Sequence, residues 1–361
     1  MSETGLGLDP VAMTERLQEE VQRTIQRAAK GLSYMASPAP TMGRTPKDLL
    51  AARGPMRLYH YRPLAPEIYR VPVLLVMATT NRGYILDLAP GQSFVEFMLK
   101  CGFDLYLLDW EAPAPHERGL RMDDYVADFI PDAMRRVLAD SGEPDVSLLG
   151  YCAGGMLSVM FAGSHPEAPL KNLVCFTTPV DFRHLSLFHR MTDQKSFDVD
   201  GLVDTLGNIP PELITLSFDM LRPATRVAGQ VKLWDNMWND DFVQSYRMFD
   251  RWATDSLPLA GEYFRQTVKE LFWNNSFLKG ELVLAGRKVD PGRITAPFLH
   301  VSAEHDHIVP REASEPLLKM VGSQEKEEIV LKGGHVSLVA GPNAAKRMWP
   351  ALDAWLSRRS T

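Results

Sequence analysis

Near the start of the chain, apolar residues recur at helical spacing. Residues 11–30 carry charged side chains on most faces and keep one row apolar, at Met13, Leu17, Val21, Ile25 and Ala28. Spacing of three and four predicts an amphipathic helix. Gly31 and the proline-rich run 37–46 are expected to end it, because proline cannot continue a helix. We therefore assign residues 1–46 to an N-terminal helix and a linker.

From about residue 58, short apolar runs alternate with helical periods. Helical spacing occupies residues 94–98 and 126–138, with Asp123 predicted as an N-cap and Pro131 as a kink. The alternation predicts a mostly parallel sheet with right-handed crossovers and helices on both faces. The ligand site should lie at the carboxyl ends of its strands. Six runs have the length and composition of strands: residues 73–77, 105–108, 146–149, 173–176, 298–302 and 328–331.

Residues 181–285 interrupt this alternation. The segment is rich in aromatic and acidic residues and poor in β-branched runs. We predict that it forms an inserted, mostly helical cap on a core built from residues 47–180 and 286–361. Its aromatic side chains either form the core of the cap or line an apolar tunnel over a site, and the pattern does not separate these two interpretations.

Composition narrows the classes of protein that the chain can be. Hydrophobic residues make up 45% and charged residues 23% of the 361 positions, which supplies a core and argues against wholesale disorder. The net charge of −6, with basic residues scattered among acidic ones, argues against a nucleic-acid binder. The apolar runs fall far short of the roughly 20 residues of a membrane span, and the first residues lack a signal-peptide pattern. Three cysteines form no disulfide framework, so we expect a cytoplasmic protein.

One strand-to-helix junction carries a nucleophile motif. Gly150-Tyr151-Cys152-Ala153-Gly154 follows a predicted strand and opens an apolar helix, which is the form of the nucleophile elbow G-x-S-x-G with cysteine in place of serine. The flanking glycines are expected because strand and helix press together at such a turn. The helix N-terminus favours a thiolate at Cys152, and the Ala153 amide is a candidate donor to an oxyanion. A second donor is expected in the loop near residues 79–81.

Such a nucleophile needs a base, and the base needs an orienting acid. The junction predicts an α/β-hydrolase fold, in which the chain order is nucleophile, acid, histidine. Asp306 and His335 each follow a late predicted strand, and His335 lies on a glycine loop. We therefore predict that Cys152, His335 and Asp306 act together, with Glu304 as a second candidate for the acid.

The other histidines and cysteines are judged by the same context. His305 and His307 flank Asp306 and stay open as accessory residues. The rest lie within strands or lack a neighbouring strand end, and we predict that they serve packing or the surface: Cys101, Cys175, His60, His116, His165, His184, His189 and His300.

Several short sequence blocks, including the cysteine motif and the segments around Asp306 and His335, resemble those of the polyhydroxyalkanoate (PHA) synthases. The resemblance is strongest to the short catalytic subunit that works with a separate accessory subunit. Tyr151 and Ala153 depart from the apolar residue and Gln that are more common in that family. The change is expected to alter the shape of the pocket and to keep the Ala153 amide. The resemblance covers about residues 58–345 and rests on these blocks: 81–88, 107–110, 150–155, 178–182, 238–240, 275–289, 306–310 and 334–335.

The resemblance implies transfer of (R)-3-hydroxyacyl groups from coenzyme A to a growing polyester. Cys152 would carry the acyl group, His335 would be its base, and Asp306 would help to activate the incoming hydroxyl, with a secondary role for His307. No separate cofactor is expected, because coenzyme A is part of the substrate. We also expect an accessory subunit, a homo-oligomer and a location at the polyester granule surface. The helix at 11–30 would contact such a partner or pack as a strap on its own core.

Two other functions stay open on the residues alone. With water in place of the hydroxyl, the same three residues would make a thiol-dependent hydrolase or thioesterase. A non-catalytic granule scaffold would keep the fold, although it would have no physical need for all three residues.

Overall fold

The computed structural model describes residues 10–89, 91–341 and 343–361. The strands are β1 (Lys47–Arg53), β2 (Met56–Tyr61), β3 (Val73–Val76), β4 (Leu105–Trp110), β5 (Val146–Tyr151), β6 (Leu170–Phe176), β7 (Val283–Leu284), β8 (Arg287–Lys288), β9 (Phe298–Ala303) and β10 (Lys326–Leu331). The α-helices are α1 (Pro10–Ala36), α2 (Phe94–Lys100), α3 (Met122–Asp124), α4 (Ile130–Ser141), α5 (Ala153–Ser164), α6 (Ser186–Met191), α7 (Val199–Leu206), α8 (Pro211–Asp219), α9 (Pro223–Asp235), α10 (Asp240–Thr254), α11 (Gly261–Gln266), α12 (Ser276–Lys279), α13 (Arg311–Ser314), α14 (Leu317–Met320) and α15 (Trp349–Leu356).

One large sheet organises the strands, in the order β1-β2-β4-β3-β5-β6-β9-β10. Neighbouring strands from β4 to β10 are parallel, whereas β1, β2 and β4 pair antiparallel at one edge. The short strands β7 and β8 form a separate ribbon. The predicted mostly parallel sheet is therefore confirmed. The loops after β3, β5, β9 and β10 leave the same edge of the sheet, where a ligand site is expected.

The centre of the sheet is apolar because both of its faces are covered. Strands β3, β5 and β9 are buried along their whole length, which is typical of parallel strands between helices. Helix α5 is also buried from Gly154 to Ser164. Because both β5 and α5 are buried, the connection between them is held rigidly in place.

The antiparallel edge of the sheet was absent from the sequence prediction. Strand β1 is half exposed, with Lys47, Asp48 and Arg53 among its seven residues, so it lacks the apolar run by which buried strands are recognised. Arg53 pairs with Met56, which leaves a two-residue turn. Gly54 occupies the first turn position with φ +51°, a conformation that glycine adopts readily in hairpin turns.

Two predicted features of the helices are wrong in detail. Helix α1 continues through Gly31 to Ala36, because a single glycine costs only about 1 kcal/mol in a helix interior; it ends just before the proline at position 38, where the α conformation is disfavoured. The N-cap of α3 is Arg121 and not Asp123. The Asp123 carboxylate instead accepts hydrogen bonds from Gln266 Nε2 and from the Ala285 amide.

The apolar row on α1 faces solvent. Met13, Leu17, Val21 and Ile25 keep 53%, 59%, 58% and 64% of their surface exposed. Both predicted uses of this helix, as a strap on the core of the chain and as a contact for a partner, stay predictions.

The described residues divide into two compact units. One contains residues 10–41 and Arg222–Arg251, and the other contains the sheet with the rest of the described residues. In the first unit, Lys30 Nζ lies 2.7 Å from Asp240 Oδ1, and Arg247 donates to the Pro38 carbonyl at 2.6 Å. The segment predicted as a cap, 181–285, contains helices α6 to α12, and its boundaries as a domain stay a prediction. Among the described helices, none combines the length and apolar character that crossing a bilayer requires.

Candidate functional site

Cys152 lies at the sharp connection between β5, which ends at Tyr151, and α5, which begins at Ala153. Its backbone has φ +55° and ψ −121°, a conformation that side-chain-bearing residues rarely adopt. Such strain costs of order 1–3 kcal/mol and persists only where the surroundings enforce it. The Cys152 amide donates to the Phe176 carbonyl at 2.9 Å. The backbone thus has the shape that the G-x-S-x-G pattern predicted.

The glycines around Cys152 are required by close approach of strand, helix and neighbouring loop. A Cβ atom on Gly150 would overlap the backbone of Gly155, and one on Gly154 would overlap the Val76 carbonyl oxygen. A Cβ on Gly155 would overlap Thr178 Oγ1. The reason given for the flanking glycines is confirmed, and Gly155 joins them as a third position where a side chain is excluded.

The Ala153 amide stands at the first position of α5. The first amides of a helix have no acceptor within the helix, and the helix dipole adds partial positive charge at this end. Ala153 therefore sits where an oxyanion donor must sit relative to Cys152. Its role as that donor stays a prediction.

Asp306 and His335 meet at the same edge of the sheet. Asp306 Oδ2 lies 2.7 Å from His335 Nδ1, and the other carboxylate oxygen accepts hydrogen bonds from the Ile308 and Val309 amides, both at 2.9 Å. The Asp306 side chain is fully buried and 5% of the His335 side chain is exposed. The two amides fix the carboxylate, which in turn fixes the imidazole. Glu304, the second candidate for the acid, is exposed.

The charge state of His335 connects the pair with Cys152. Burial by itself lowers the pKa of His335, but the negative charges of Asp306 and Cys152, and hydrogen bonds with both side chains, raise it to about 10. The structure therefore brings the three residues together that the sequence analysis grouped. It also favours a protonated imidazole between a carboxylate and a sulfur.

His307, predicted to have a secondary role, has an exposed side chain on the loop after β9. Its neighbour His305 is exposed as well. Neither position shares the burial of Asp306. The secondary role of His307 stays a prediction.

The loop after β3 lies beside the elbow. Val76 pairs with Gly150 in the parallel ladder, so the chains that continue past these residues leave the sheet at the same level. Trp110 Nε1 donates to the Met77 carbonyl at 2.9 Å and holds this loop. Thr79, the first residue of the loop predicted to supply a second oxyanion donor, is buried with 4% exposure.

Two tyrosines near Cys152 were not assigned a role from the sequence. The Tyr151 hydroxyl donates to the His335 carbonyl at 3.5 Å, and the ring centroids of these residues are 5.3 Å apart. Burial, with the charges of Cys152 and Asp306, raises the pKa of Tyr151, so its hydroxyl stays protonated. Its position inside the G-x-C-x-G box was the signal that could have identified it.

The second tyrosine, Tyr263, comes from α11. The Thr79 hydroxyl donates to the Tyr263 oxygen at 3.4 Å, and Tyr263 is 3% exposed. It is one of many aromatic residues in the segment 181–285. No sequence signal separated it from the others, because its contact with Thr79 spans 184 positions of the chain.

The remaining cysteines lie in surroundings that disfavour reactivity. Burial raises the pKa of Cys175 to about 12, and burial with the charge of Asp353 raises that of Cys101 to about 11.

His300 is fully buried within β9, as predicted for a packing residue. Within the described ranges, no three histidine, cysteine or acidic side chains are arranged to hold a metal ion.

Comparison with known proteins gives matches over most of the chain. A family model described as the alpha/beta hydrolase fold matches residues 85–342, and a model described as the N-terminus of poly-beta-hydroxybutyrate polymerase (PhaC) matches residues 39–98. The chain is 35% identical to the poly(3-hydroxyalkanoate) polymerase subunit PhaC of Allochromatium vinosum, over 96% of this chain and 98% of that protein. It is 34% identical to the protein of the same name from Haloferax mediterranei, over 89% of this chain and 65% of that protein.

Solved structures support the fold. The chain is similar to a soluble variant of monoglyceride lipase from Saccharomyces cerevisiae, with a TM-score of 0.52 and 13% identity, over 90% of this chain and all of that one. A structure reported with the lipolytic enzymes LipS and LipT gives a TM-score of 0.50 at 14% identity, over 81% of this chain and 96% of that one. At such low identity the likeness establishes the α/β-hydrolase fold alone.

Proposed function

The chain belongs to the family of poly(3-hydroxyalkanoate) polymerase PhaC subunits, and from that premise we propose that it polymerises (R)-3-hydroxyacyl-coenzyme A into a polyester, releasing coenzyme A. The acyl group is carried on Cys152. The observation that carries this proposal is the strained elbow at Cys152 beside the buried pair of His335 and Asp306. A thiol, a base and a fixed carboxylate are the groups that acyl transfer through a covalent intermediate requires.

Loading of the enzyme exchanges one thioester for another. His335 holds the proton of the Cys152 thiol, and the thiolate attacks the carbonyl carbon of the substrate. The resulting oxyanion is stabilised by the Ala153 amide, a contribution of about 3 kcal/mol for a donor in comparable sites. The bond from carbon to the coenzyme A sulfur then breaks, and His335 returns its proton to that sulfur. The acyl group now resides on Cys152.

Elongation converts the thioester into a more stable oxygen ester. A 3-hydroxyl group attacks acyl-Cys152 and passes its proton to His335, with Asp306 supporting the charge that forms on the imidazole. The bond to Cys152 breaks and the thiolate is restored. Cysteine suits this sequence because loading is nearly balanced in energy, whereas transfer to the hydroxyl is favourable. Water competes at the same carbon, so the site must exclude it.

The proposal is tested by supplying the purified chain with 3-hydroxybutyryl-coenzyme A. We expect release of coenzyme A together with polymer, and loss of that release in Cys152→Ala. Release accompanied only by free 3-hydroxybutyrate would make the protein a thioesterase instead. Unchanged release in Cys152→Ala would overturn both catalytic functions and leave the scaffold function.

We further propose that an accessory subunit joins this chain in the cytoplasm at the polyester surface, where the catalytic subunit works as a homo-oligomer. The exposed row on α1 supports a contact of this kind. We expect Leu17→Glu to weaken association with the accessory subunit and to leave coenzyme A release by the isolated chain unchanged. Thr14→Glu, which also adds a charge to α1, is the matched control. Equal association of both variants would contradict this use of the row.

A further inference from the structure

The order of the strands gives Cys152 two different sides. Strand β5 lies between β3 and β6, and β9 and β10 follow β6. Asp306 and His335 extend from the loops after β9 and β10, so the imidazole reaches Cys152 from that side. Thr79 extends from the loop after β3 and occupies the opposite side. Proton transfer with His335 thus takes place on one side of the sulfur. The carbonyl oxygen of the substrate can lie on the other side, next to the loop after β3.

Tyr263 holds a fixed position on the β3 side. Its hydroxyl oxygen lies 3.4 Å from Thr79 Oγ1, and its ring packs against Tyr125 with centroids 4.9 Å apart. The end of α11 is fixed by Gln266, whose side chain accepts from the Met122 amide at 2.9 Å and donates to Asp123 at 2.8 Å. The phenol is therefore held in place by its hydrogen bond with Thr79, by the packing of its ring against Tyr125, and by the hydrogen bonds of Gln266 at the end of its helix.

The Tyr263 phenol is a neutral donor. Burial raises its pKa, the hydrogen bond from Thr79 lowers it, and the negative charge of Cys152 raises it again, to about 12 in total. A Cβ atom on Gly154 would lie 2.6 Å from the Met77 carbonyl oxygen, so the loop that leads to Thr79, the partner of Tyr263, passes directly against the elbow. Since Thr79 donates to the phenolic oxygen, the hydrogen of Tyr263 remains to be donated elsewhere.

We propose that the Tyr263 hydroxyl donates a hydrogen bond to the carbonyl oxygen of the substrate as negative charge develops on it, opposite His335 and beside the Ala153 amide. Thr79 is then a positioning residue, because its hydroxyl directs the phenolic hydrogen towards Cys152. The proposal rests on the function proposed above and assigns the second oxyanion donor to a side chain. No bond is made or broken at Tyr263, which keeps its proton throughout.

The test measures acylation and alkylation of Cys152 in the same full-length proteins. Acylation by 3-hydroxybutyryl-coenzyme A is followed by rapid quenching and intact mass, and alkylation by iodoacetamide is followed in parallel. Alkylation forms no oxyanion, so it reports the thiolate alone. We expect Tyr263→Phe to acylate about a hundredfold more slowly and to alkylate at the rate of the wild type. Tyr125→Phe removes a hydroxyl from the same buried cluster and is expected to match the wild type in both reactions.

Several results would overturn the proposal. Acylation of Tyr263→Phe within threefold of the wild type would do so, as would equal slowing of acylation and alkylation, which would mean that Tyr263 acts on the thiol. A wild-type protein that forms no acyl-Cys152 would overturn this proposal together with the proposed function. Thr79→Val provides a second variant if Tyr263→Phe does not fold. It is expected to slow acylation roughly tenfold without slowing alkylation, and an unchanged rate of acylation would count against the proposal.

Discussion

Gly155→Ala tests whether the tight packing around the elbow is set by one neighbouring side chain. A Cβ at position 155 would overlap Thr178 Oγ1, and it would lie 3.0 Å from the Gly150 carbonyl oxygen and 3.2 Å from Thr178 Cβ. The first contact is prohibitive, whereas the other two need only a shift of a few tenths of an ångström. Most of the cost of this substitution should therefore come from the Thr178 hydroxyl.

The expected losses in the free energy of unfolding follow from the share of the cost assigned to the Thr178 hydroxyl. Overpacking of a well-packed site costs about 1–3 kcal/mol, and we expect Gly155→Ala to lower the free energy of unfolding by about 3 kcal/mol. Thr178→Ala alone removes the hydrogen bond from Oγ1 to the Phe176 carbonyl at 3.3 Å, and we expect it to cost about 1 kcal/mol. The double variant loses the worst contact and should be destabilised by about 2 kcal/mol, compared with about 4 kcal/mol for the sum of the single variants.

The assay is urea unfolding of the wild type, both single variants and the double variant, with the slope against urea checked for constancy. The rate of Cys152 alkylation is measured on the same samples, to show whether the elbow keeps its shape. Single-variant losses that add to within about 0.5 kcal/mol would refute the assignment of the cost to Thr178. Gly154→Ala is the contrasting variant, because its Cβ meets the Val76 carbonyl and no side-chain truncation can relieve that overlap.

Three further predictions concern His335 and Asp306. His335→Gln is expected to abolish loading of Cys152, and an acyl adduct at wild-type yield in the intact mass would contradict its role as base. Asp306→Ala is expected to load Cys152 and to elongate slowly, so that absence of trapped acyl-Cys152 would contradict the division of their roles. Because the pKa of His335 is raised from 6.5 to about 10, the stability it gives is complete below pH 6.5 and is lost as the pH rises through 10. The difference in unfolding free energy between wild type and His335→Gln should fall across that interval in urea titrations, and a difference independent of pH would refute the charged pair.

Local pattern was sufficient where burial is complete. All six predicted strands are present: the central ones must be apolar along their length, and β10 kept a short apolar run although it is a partly exposed edge strand. Pattern failed at the antiparallel edge, since the half-exposed strand β1 has no such run. It also misplaced the end of α1, because the free-energy cost of one glycine in a helix is small compared with the helix-forming propensity of the residues that follow it.

The sequence by itself determined the elbow at Cys152 and the placement of Asp306 and His335 after late strands. These follow from short motifs and from chain order, because a parallel sheet brings the carboxyl ends of its strands to one edge. Only the tertiary structure decided that Thr178 restricts position 155, that two backbone amides fix the Asp306 carboxylate, and that Tyr263 reaches Thr79 across 184 residues. Such contacts join segments that share no spacing or composition, and they exist only once the burial of apolar surface has folded the chain.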